Sequence, residues 1–304
     1  MRPTVVLFLM LKSLCLLVGL IAGTVFQLEA QITKEFIIDR KEGLDLVRFD
    51  FSSYNGLSRF KGESYGHPLR AHAHLSRANI LPSFTERFSQ GVLYASIDHH
   101  DVESKSLRRR ISQRIFSGEN KGSEHSWFID LDKGVLYDLN FDLGMGESQI
   151  DLANLQVSKC KINSVTADVS LQYSSDVPNP ARMDTLWVAI NMGTINANRM
   201  NYSNAEKMFF DINYGTLNLS MVGGIPKGST ISAMVGAGSV NIDLPSGSLP
   251  YIIRVKSTAM CKTTIAPHLK KIDHKTYVSE GYKQDADNLM TFLVDVSVGT
   301  ISLK

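Results

Sequence analysis

The chain has 304 residues, of which 43% are hydrophobic and 20% are charged, and its formal net charge is +2 at pH 7. This composition is typical of a folded protein and excludes a low-complexity or strongly acidic chain. A charge so close to zero also argues against a nucleic-acid-binding protein, which needs a basic surface to meet phosphates. The length allows one or two domains, or a single extended β architecture.

Residues 1–30 have the pattern of a signal peptide. Arg2 and Lys12 flank short apolar runs, and the stretch 13–26 carries no charge before the small residue Ala30. This stretch is shorter than the ~20 residues that a membrane-spanning helix needs, which favours cleavage after Ala30 over retention as an anchor. We therefore expect an exported chain without a membrane span, in the periplasm or on the outer surface of a bacterial cell.

Residues 31–135 predict a β-rich N-terminal region, with the first coils of the following domain, 136–304, as the alternative assignment. Apolar and alternating segments indicate strands at 46–51, 91–97 and 127–131. The charged segment between the last two strands predicts a loop or a short helix. We find no clear linker before the C-terminal region, so the division is drawn only at about residue 135.

Two groups of side chains in the N-terminal region are candidate ligand sites. The first has the side-chain types that zinc accepts and comprises His72, His74, His99, His100 and Asp101. Their spacing matches no zinc signature, so solvent-facing histidines on strands are the favoured interpretation, and we predict no metal and no cofactor. The second is a basic cluster suited to anionic lipid or glycan, comprising Arg108, Arg109, Arg110 and Arg114.

Two further patterns suggest catalysis or nucleotide binding, but neither is specific. Asp138 and Asp142 are predicted on the outward face of one strand, where a polysaccharide-active enzyme would use paired carboxylates. Outward acids also keep a β surface soluble and discourage edge pairing, which explains them without catalysis. Gly144–Gly146 and Gly236–Gly238 supply two glycines of a dinucleotide-binding loop, but a polar residue replaces the third in both. The sequence therefore predicts a protein that is not an enzyme.

The C-terminal half contains a short repeat with the template apolar, polar, apolar, Gly, Thr, apolar, polar, apolar. Three octets match it and a fourth has Ser in place of Thr: 190–197, 212–219, 296–303 and 235–242. Weaker copies occur at 143–150 and 164–171, the second with Ala167 at the position of the glycine. The octets at 190, 212 and 235 begin 22 and then 23 residues apart. Periods of ~20–30 residues mark stacked repeats that bury their apolar faces against their neighbours.

Alternation on each side of the glycine predicts a strand with one buried face. In the octet 212–219 the apolar residues have even numbers before the glycine and odd numbers after it, so a flat strand would expose one set. A corner at the glycine repairs this, because glycine tolerates the necessary backbone angles. The predicted structural corners are Gly146, Gly193, Gly215, Gly238 and Gly299. The same alternation places Phe141, Phe210 and Tyr214 in inward register.

These patterns predict an all-β fold of stacked short strands, a β-solenoid. An antiparallel β-sandwich is the alternative, although it does not explain a glycine at a fixed place in each octet. A further strand is predicted at 251–255, followed by a polar surface loop over 267–282. If this loop presents Tyr277 and Tyr282 as an exposed cluster, the pair would favour a glycan-binding surface. The final octet runs to Leu303 with almost no capping segment, so we also expect self-association through terminal strands.

Two cysteines, Cys160 and Cys261, remain after removal of the signal segment. An exported protein meets an oxidising compartment, where these two thiols would allow one disulfide. Cys160 lies between two lysines and close to apolar residues, which suits a buried thiol on the inward face of a strand. We favour the free thiols and leave the bridge as the alternative.

Three consecutive segments resemble a known envelope family: 127–131 with its Trp, 137–146 with Asp-Leu-x-Phe-x-Leu-Gly-x-Gly, and 150–155 with Ile-Asp-Leu. Their order, followed by the repeated glycine strands, is similar to the toast-rack or LiaF-like (cell-wall-active antibiotics response) group and to related adhesin-like β-solenoids of bacterial envelopes. The likeness covers about residues 125–304. The resemblance implies a stacked β fold with non-catalytic roles in envelope stress sensing or surface contact. Stress-sensing members carry membrane helices before this domain, so the secreted branch is favoured here.

We therefore expect a non-catalytic, exported envelope protein, adhesin-like or stress-related, whose partner is an envelope protein or a cell-wall component and not nucleic acid. A carbohydrate-binding or polysaccharide-active β-helix protein is the alternative. A glycan-binding surface needs a row of exposed aromatic side chains, whereas the aromatic residues of the repeats are predicted to point inward. This difference favours the first class.

Overall fold

The computed structural model of the protein describes residues 32–76, 81–100 and 125–304. Within these ranges, sixteen strands join one mostly parallel sheet. The predicted signal peptide lies outside the described residues. The strands are β1 (Ile32–Ile38), β2 (Leu46–Glu63), β3 (Leu69–Leu75), β4 (Ser83–Ser89), β5 (Val92–His99), β6 (His125–Asp132), β7 (Leu136–Asp151), β8 (Gln156–Gln172), β9 (Met183–Asn198), β10 (Ala205–Ser220), β11 (Ser229–Asp243), β12 (Tyr251–Ser257), β13 (Cys261–Thr264), β14 (Lys270–Asp273), β15 (Thr276–Val278) and β16 (Met290–Leu303).

Six long strands form the centre of the sheet in the order β7-β8-β9-β10-β11-β16, and every neighbouring pair is parallel. Equivalent octet positions lie side by side, so that Gly215 of β10 pairs with Gly193 of β9 and with Gly238 of β11. The all-β, solenoid-like fold predicted from the repeat is confirmed, and the antiparallel sandwich is wrong. The physical reason is that each octet buries its apolar face only against its neighbours.

The long strands bend into two arms at a corner, which a glycine forms in all of β7, β9, β10, β11 and β16, as β10 illustrates. From Met208 onward, its buried apolar side chains have even numbers before the glycine and odd numbers after it: Met208, Phe210, Ile212, Leu217 and Leu219. The change occurs within the corner that contains Gly215, whose φ is +149°. Both arms face one continuous hydrophobic core. Burial of a side chain such as Phe210 contributes about 2–3 kcal/mol to that core.

Short turns return the chain from one coil to the next. Between β9 and β10 the turn is a 3-10 helix, Met200–Ser203. In the preceding turn, the buried Asn179 side chain donates to the carbonyl oxygen of Val157 at 2.7 Å and accepts from the Val157 amide at 3.1 Å. It thereby pairs backbone groups that the strands leave without a ladder partner. Within the described ranges, none of the helices has the length and hydrophobicity needed to cross a bilayer.

Strand β2 joins the N-terminal strands to the solenoid. Its first arm pairs with β5, its second arm pairs with β6, and both arms pair with β7. Antiparallel strands complete this end, since β4 pairs with β5, β3 with β6 and β1 with β3. Aromatic rings fill the core here: Phe51 packs edge-on at centroid distances of 5.1 Å from Phe60, 5.3 Å from Trp127 and 6.5 Å from Phe141.

Two expectations about the C-terminal end are wrong. The final octet does not end the sheet, because β12 and β13 pair with the two arms of β16, and β15 and β14 continue beyond β12. The range 267–282, expected to be a loop, contains the antiparallel hairpin of β14 and β15. The hairpin covers backbone groups that would otherwise be free to pair with another chain.

Candidate binding surface

The residue before each stacked glycine points outward, and these residues form a row of apolar side chains. We call the row the ridge, and it consists of Met192, Tyr214, Ala237, Val298 and Met260. The first four occupy one register position of β9, β10, β11 and β16. Met260 extends the row, because the next residue, Cys261, pairs with Gly299. The exposed fraction is 44% for Met192, 59% for Tyr214, 40% for Val298 and 69% for Met260.

The prediction that Tyr214 points inward is wrong. Alternation stops one residue earlier than the octet pattern indicates, because Ile212 is buried whereas Asn213 and Tyr214 are both exposed. The pairing of β10 with both of its neighbours skips Asn213, so the corner begins there. Phe141 and Phe210 are buried, as predicted. The corner therefore turns the side chain before the glycine outward on successive coils.

Beside the ridge, the outward side of the second arm is polar over five strands and carries charge only at three border positions, Asp168, Asp243 and Lys304. We call its uncharged part the neutral face. Its twelve residues lie on β8, β9, β10, β11 and β16 and are Ser170, Gln172, Thr194, Asn196, Asn198, Thr216, Asn218, Ser220, Ser239, Asn241, Thr300 and Ser302. Equivalent hydroxyl and amide side chains are again in register, since Asn218 pairs with Asn196 on one side and with Asn241 on the other.

Side-chain hydrogen bonds run along the neutral face from coil to coil. Asn241 Nδ2 donates to Asn218 Oδ1 at 2.9 Å, and Asn218 Nδ2 donates to Asn196 Oδ1 at 2.8 Å. On the neighbouring column, Thr300 Oγ1 donates to Ser239 Oγ at 2.8 Å. These bonds fix the orientation of the amides and stabilise the in-register stack, as asparagine ladders do in other parallel β structures.

The outward side of the first arm is chemically different because it carries ion pairs. Arg48 Nε lies 3.6 Å from Asp138 Oδ2, and Lys256 Nζ lies 2.7 Å from Asp295 Oδ2. Such exposed pairs contribute little to stability and are typical of a solvated surface. On the central strands, the ridge therefore separates an outward side with ion pairs from the neutral face.

The glycines predicted as corners all have positive φ, from +112° to +149°, and they are Gly146, Gly193, Gly215, Gly238 and Gly299. A Cβ added to Gly215 would overlap the carbonyl oxygen of Gly193. Gly56 of β2, which sequence reasoning missed, pairs with Gly146 and has a φ of +121°. The octet pattern around Gly56 is not recognisable in the sequence, because Ser53 and Ser58 occupy buried positions where the template has apolar residues.

Strand β8 has Ala167 in place of the glycine and makes the corner with side-chain hydrogen bonds. The amide of Ala167 donates to Ser164 Oγ at 2.9 Å, and the amide of Thr194 donates to Asp168 Oδ1 at 2.8 Å. The ladder between β8 and β9 breaks after Ser164 and resumes at Val169. Asp168 therefore supplies an acceptor where the backbone ladder is interrupted, a structural role that the sequence did not reveal.

The histidines proposed as metal ligands do not come together. His72 and His74 lie on the outward side of β3, where His72 Nε2 is 3.4 Å from Glu35 Oε1 and His74 Nδ1 is 3.3 Å from Thr33 Oγ1. Among the residues that the structure describes, no group of three or more His, Cys, Asp or Glu side chains could hold a metal ion. The pair on β3 is therefore part of an ordinary polar surface.

The second pair of histidines is split between two sides of the chain. The expectation that it faces solvent is wrong for His99, which is buried with its ring centroid 4.7 Å from that of His125 and 5.5 Å from that of Trp127. Burial follows from the alternation in β5, which turns His99 inward. His100 contacts Ser52 on the surface. Asp101 and the predicted arginine cluster lie outside the described residues.

Asp138 and Asp142 lie on the outward face of β7, as predicted. Four residues of extended strand separate them by about 13 Å, whereas glycosidases hold their catalytic carboxyl pairs about 5–9.5 Å apart. Each acid also has a local partner, since Asp138 pairs with Arg48 and Asp142 Oδ1 accepts from Asn163 Nδ2 at 2.7 Å. The two acids therefore lack the spacing of a glycosidase pair.

Both cysteines are free thiols. Cys160 is fully buried in β8, and this burial raises the pKa of its thiol to about 12. Cys261 is partly exposed in the short strand β13, where burial also raises its pKa. In the C-terminal range, Tyr277 packs against the hydrophobic core because the hairpin turns it towards β12, so it does not contribute to an exposed aromatic row.

Comparisons with known proteins show what the chain is similar to. A candidate cell adhesion protein from Clostridium sporogenes has a similar structure, with a TM-score of 0.46, 12% identity and coverage of 90% of this chain and 99% of that chain. Candidate adhesins from Bacteroides fragilis and Parabacteroides merdae both give a TM-score of 0.37, with 14% and 10% identity; they cover 91% and 90% of this chain and 98% and 96% of their own. The sequence matches no family model, and no curated protein matches it.

The resemblance to the toast-rack group thus remains a prediction. These identities are too low to transfer a function from the adhesin structures. The chemistry of the ridge and of the neutral face must therefore indicate what the chain contacts.

Proposed function

We infer that the protein is an exported bacterial envelope protein with an adhesin-like, non-catalytic role, and that it contacts an envelope protein or a cell-wall component through the ridge. The observation that carries this proposal is the alignment of exposed apolar side chains on consecutive coils. Single exposed apolar residues are normal on soluble proteins, but contiguous exposed apolar patches are typical of contact surfaces.

The length of the ridge supports a contact role. Neighbouring strands lie about 4.8 Å apart, so the five residues of the ridge span about 19 Å of surface. Tyr214 is the second residue of the row, in the chain of register pairs between Met192 and Ala237. A tyrosine offers a large apolar ring and a polar hydroxyl at a small cost in side-chain entropy, which makes it a frequent anchor in binding surfaces.

Binding of the purified protein to isolated bacterial envelopes tests the proposal. Tyr214→Ser should weaken that binding about tenfold, which corresponds to about 1.4 kcal/mol. Val222→Ser is the matched control, because Val222 is 58% exposed and lies outside the ridge. Equal affinities for wild type and Tyr214→Ser, or equal losses in the two variants, would exclude the ridge as the contact surface.

Export requires a separate experiment. The N-terminal pattern around Arg2, Lys12 and Ala30 favours secretion with cleavage after Ala30. Mass spectrometry of the protein from fractionated cells should find a chain that begins at Gln31 in the envelope or the medium. A full-length chain recovered only from the cytoplasm would contradict the proposal.

A further inference from the structure

The neutral face is a lattice of hydrogen-bonding groups with fixed spacing. Its columns run from strand to strand at about 4.8 Å, and successive outward residues along one strand lie about 6.7 Å apart. One column holds Thr194, Thr216, Ser239 and Thr300, and the next holds Asn196, Asn218, Asn241 and Ser302. A surface of this kind matches a ligand whose own hydrogen-bonding groups repeat along a chain.

The amides of this lattice retain capacity for a ligand. An asparagine side chain has two N–H donors and an oxygen that accepts two hydrogen bonds. Asn218 uses one donor on Asn196 and one acceptor position on Asn241, so one donor and one acceptor position remain. The bonds between neighbouring amides also hold the side chains in place before binding, which lowers the entropy lost when a ligand binds.

The size of the neutral face indicates the class of ligand. The twelve uncharged residues occupy most of an area of five strands and three outward positions along each strand, roughly 19 Å by 13 Å or at most about 250 Å², in which Asp168, Asp243 and Lys304 hold the other three positions. A standard protein–protein interface buries about 800 Å² on each partner. The neutral face alone is therefore too small for a folded protein, but it is large enough for several units of an extended polymer.

The electrostatics favour an uncharged polymer. The twelve residues carry no charge, whereas the border of the face holds charges of both signs: Asp168 beside Thr194, Lys262 beside Thr300, and Asp243 and Lys304 at the end of the second arm. A charged polymer of either sign would meet no opposite charge on the face itself and would meet a like charge at its border. The adjacent Tyr214 ring, 59% exposed, offers an apolar plane to the C–H groups of a sugar ring.

We propose that the neutral face binds an unbranched, uncharged polysaccharide that lies across the strands, along the solenoid axis. Its hydroxyl groups exchange hydrogen bonds with the threonine and asparagine columns, and its ring faces pack beside Tyr214. This inference rests on the proposed contact role of the ridge and names the ligand class of that surface.

Calorimetric titration of the purified protein with linear β-1,3-glucan and xylan oligosaccharides tests this inference, with polygalacturonate as the anionic comparison. The neutral oligosaccharides should bind saturably, with an affinity that changes less than about twofold between low and high salt, because no charge is involved. Thr216→Lys should weaken binding by about tenfold or more. The matched variant Thr230→Lys, an outward threonine on the first arm of β11, should leave it unchanged.

The outcomes separate the two proposals. Tyr214-dependent binding to envelopes without binding to either neutral oligosaccharide would overturn the polysaccharide inference and leave the contact role standing, whereas loss of both would overturn both. Stronger binding to polygalacturonate, or equal effects of the two lysine variants, would also overturn it. If Thr216→Lys fails to fold, hydrogen exchange of the wild-type protein decides: the oligosaccharide should slow amide exchange in the second arms of β9, β10 and β11, and unchanged exchange there would overturn the inference.

Discussion

Replacing Gly215 with alanine tests whether the stability of the stacked coils requires a residue without a side chain at the corner. The φ of Gly215 is +149°, and positive φ costs a residue with a side chain about 1–3 kcal/mol. The added Cβ would also overlap the carbonyl oxygen of Gly193, so β10 would have to move away from β9. Loss of two ladder hydrogen bonds beside the corner, at about 1 kcal/mol each, brings the expected loss of unfolding free energy to about 3–5 kcal/mol.

A second glycine supplies the control for this variant. Gly66 also has a positive φ of +77°, but a Cβ added there would have no atom within 4 Å. Gly66→Ala should therefore lose only the backbone cost of about 1–3 kcal/mol of unfolding free energy. The additional loss in Gly215→Ala then measures the cost of the overlap with the Gly193 carbonyl oxygen. Urea unfolding followed by far-UV circular dichroism measures both losses as midpoint shifts at an unchanged slope. Equal losses in the two variants would refute the requirement for stacked glycines.

Two further predictions concern buried tyrosines and thiols. The buried Tyr173 hydroxyl has no hydrogen-bond partner among the described residues, so Tyr173→Phe should retain or raise the melting temperature. Tyr137→Phe removes a 2.7 Å hydrogen bond to a backbone carbonyl oxygen and should lower the unfolding free energy by about 1–2 kcal/mol, and the opposite ranking in thermal melts would contradict both assignments. Because burial raises the pKa of Cys160 to about 12, a thiol reagent at neutral pH should label Cys261 first in the folded protein; equally fast labelling of Cys160 would show that β8 is open to solvent.

The repeat predicts both the fold and the register of the central strands. Gly193, Gly215 and Gly238 hold the same position of the octet template, and they lie side by side in the sheet. Equivalent residues can align in this way only when each coil stacks on the next without a shift along the strand. The repeat period of the sequence therefore predicts both the stacking of the coils and the register of their strands in this region.

The exposed ridge, the glycine at position 56 and the neutral face could not be predicted, because they depend on backbone geometry that the alternation of apolar and polar residues does not specify. Tyr214 is exposed because the corner takes up more than the glycine itself, and the octet pattern does not give the length of a corner. Gly56 belongs to the glycine column, but polar residues in its strand hide the template. The neutral face consists of the polar positions of the repeat, and its Ser, Thr, Asn and Gln residues resemble those of any solvent-exposed strand in the sequence.

The order of strands at the C-terminal end has a consequence for biosynthesis. Strand β16 follows β12–β15 in the chain but lies between β11 and β12 in the sheet. A nascent or truncated chain that lacks Met290–Leu303 thus leaves β11 and β12 each with an unpaired edge. Such edges are templates for aggregation. Insertion of β16 between β11 and β12 is therefore the step that covers both edges at once, and the solenoid stays open in its interior until that step is complete.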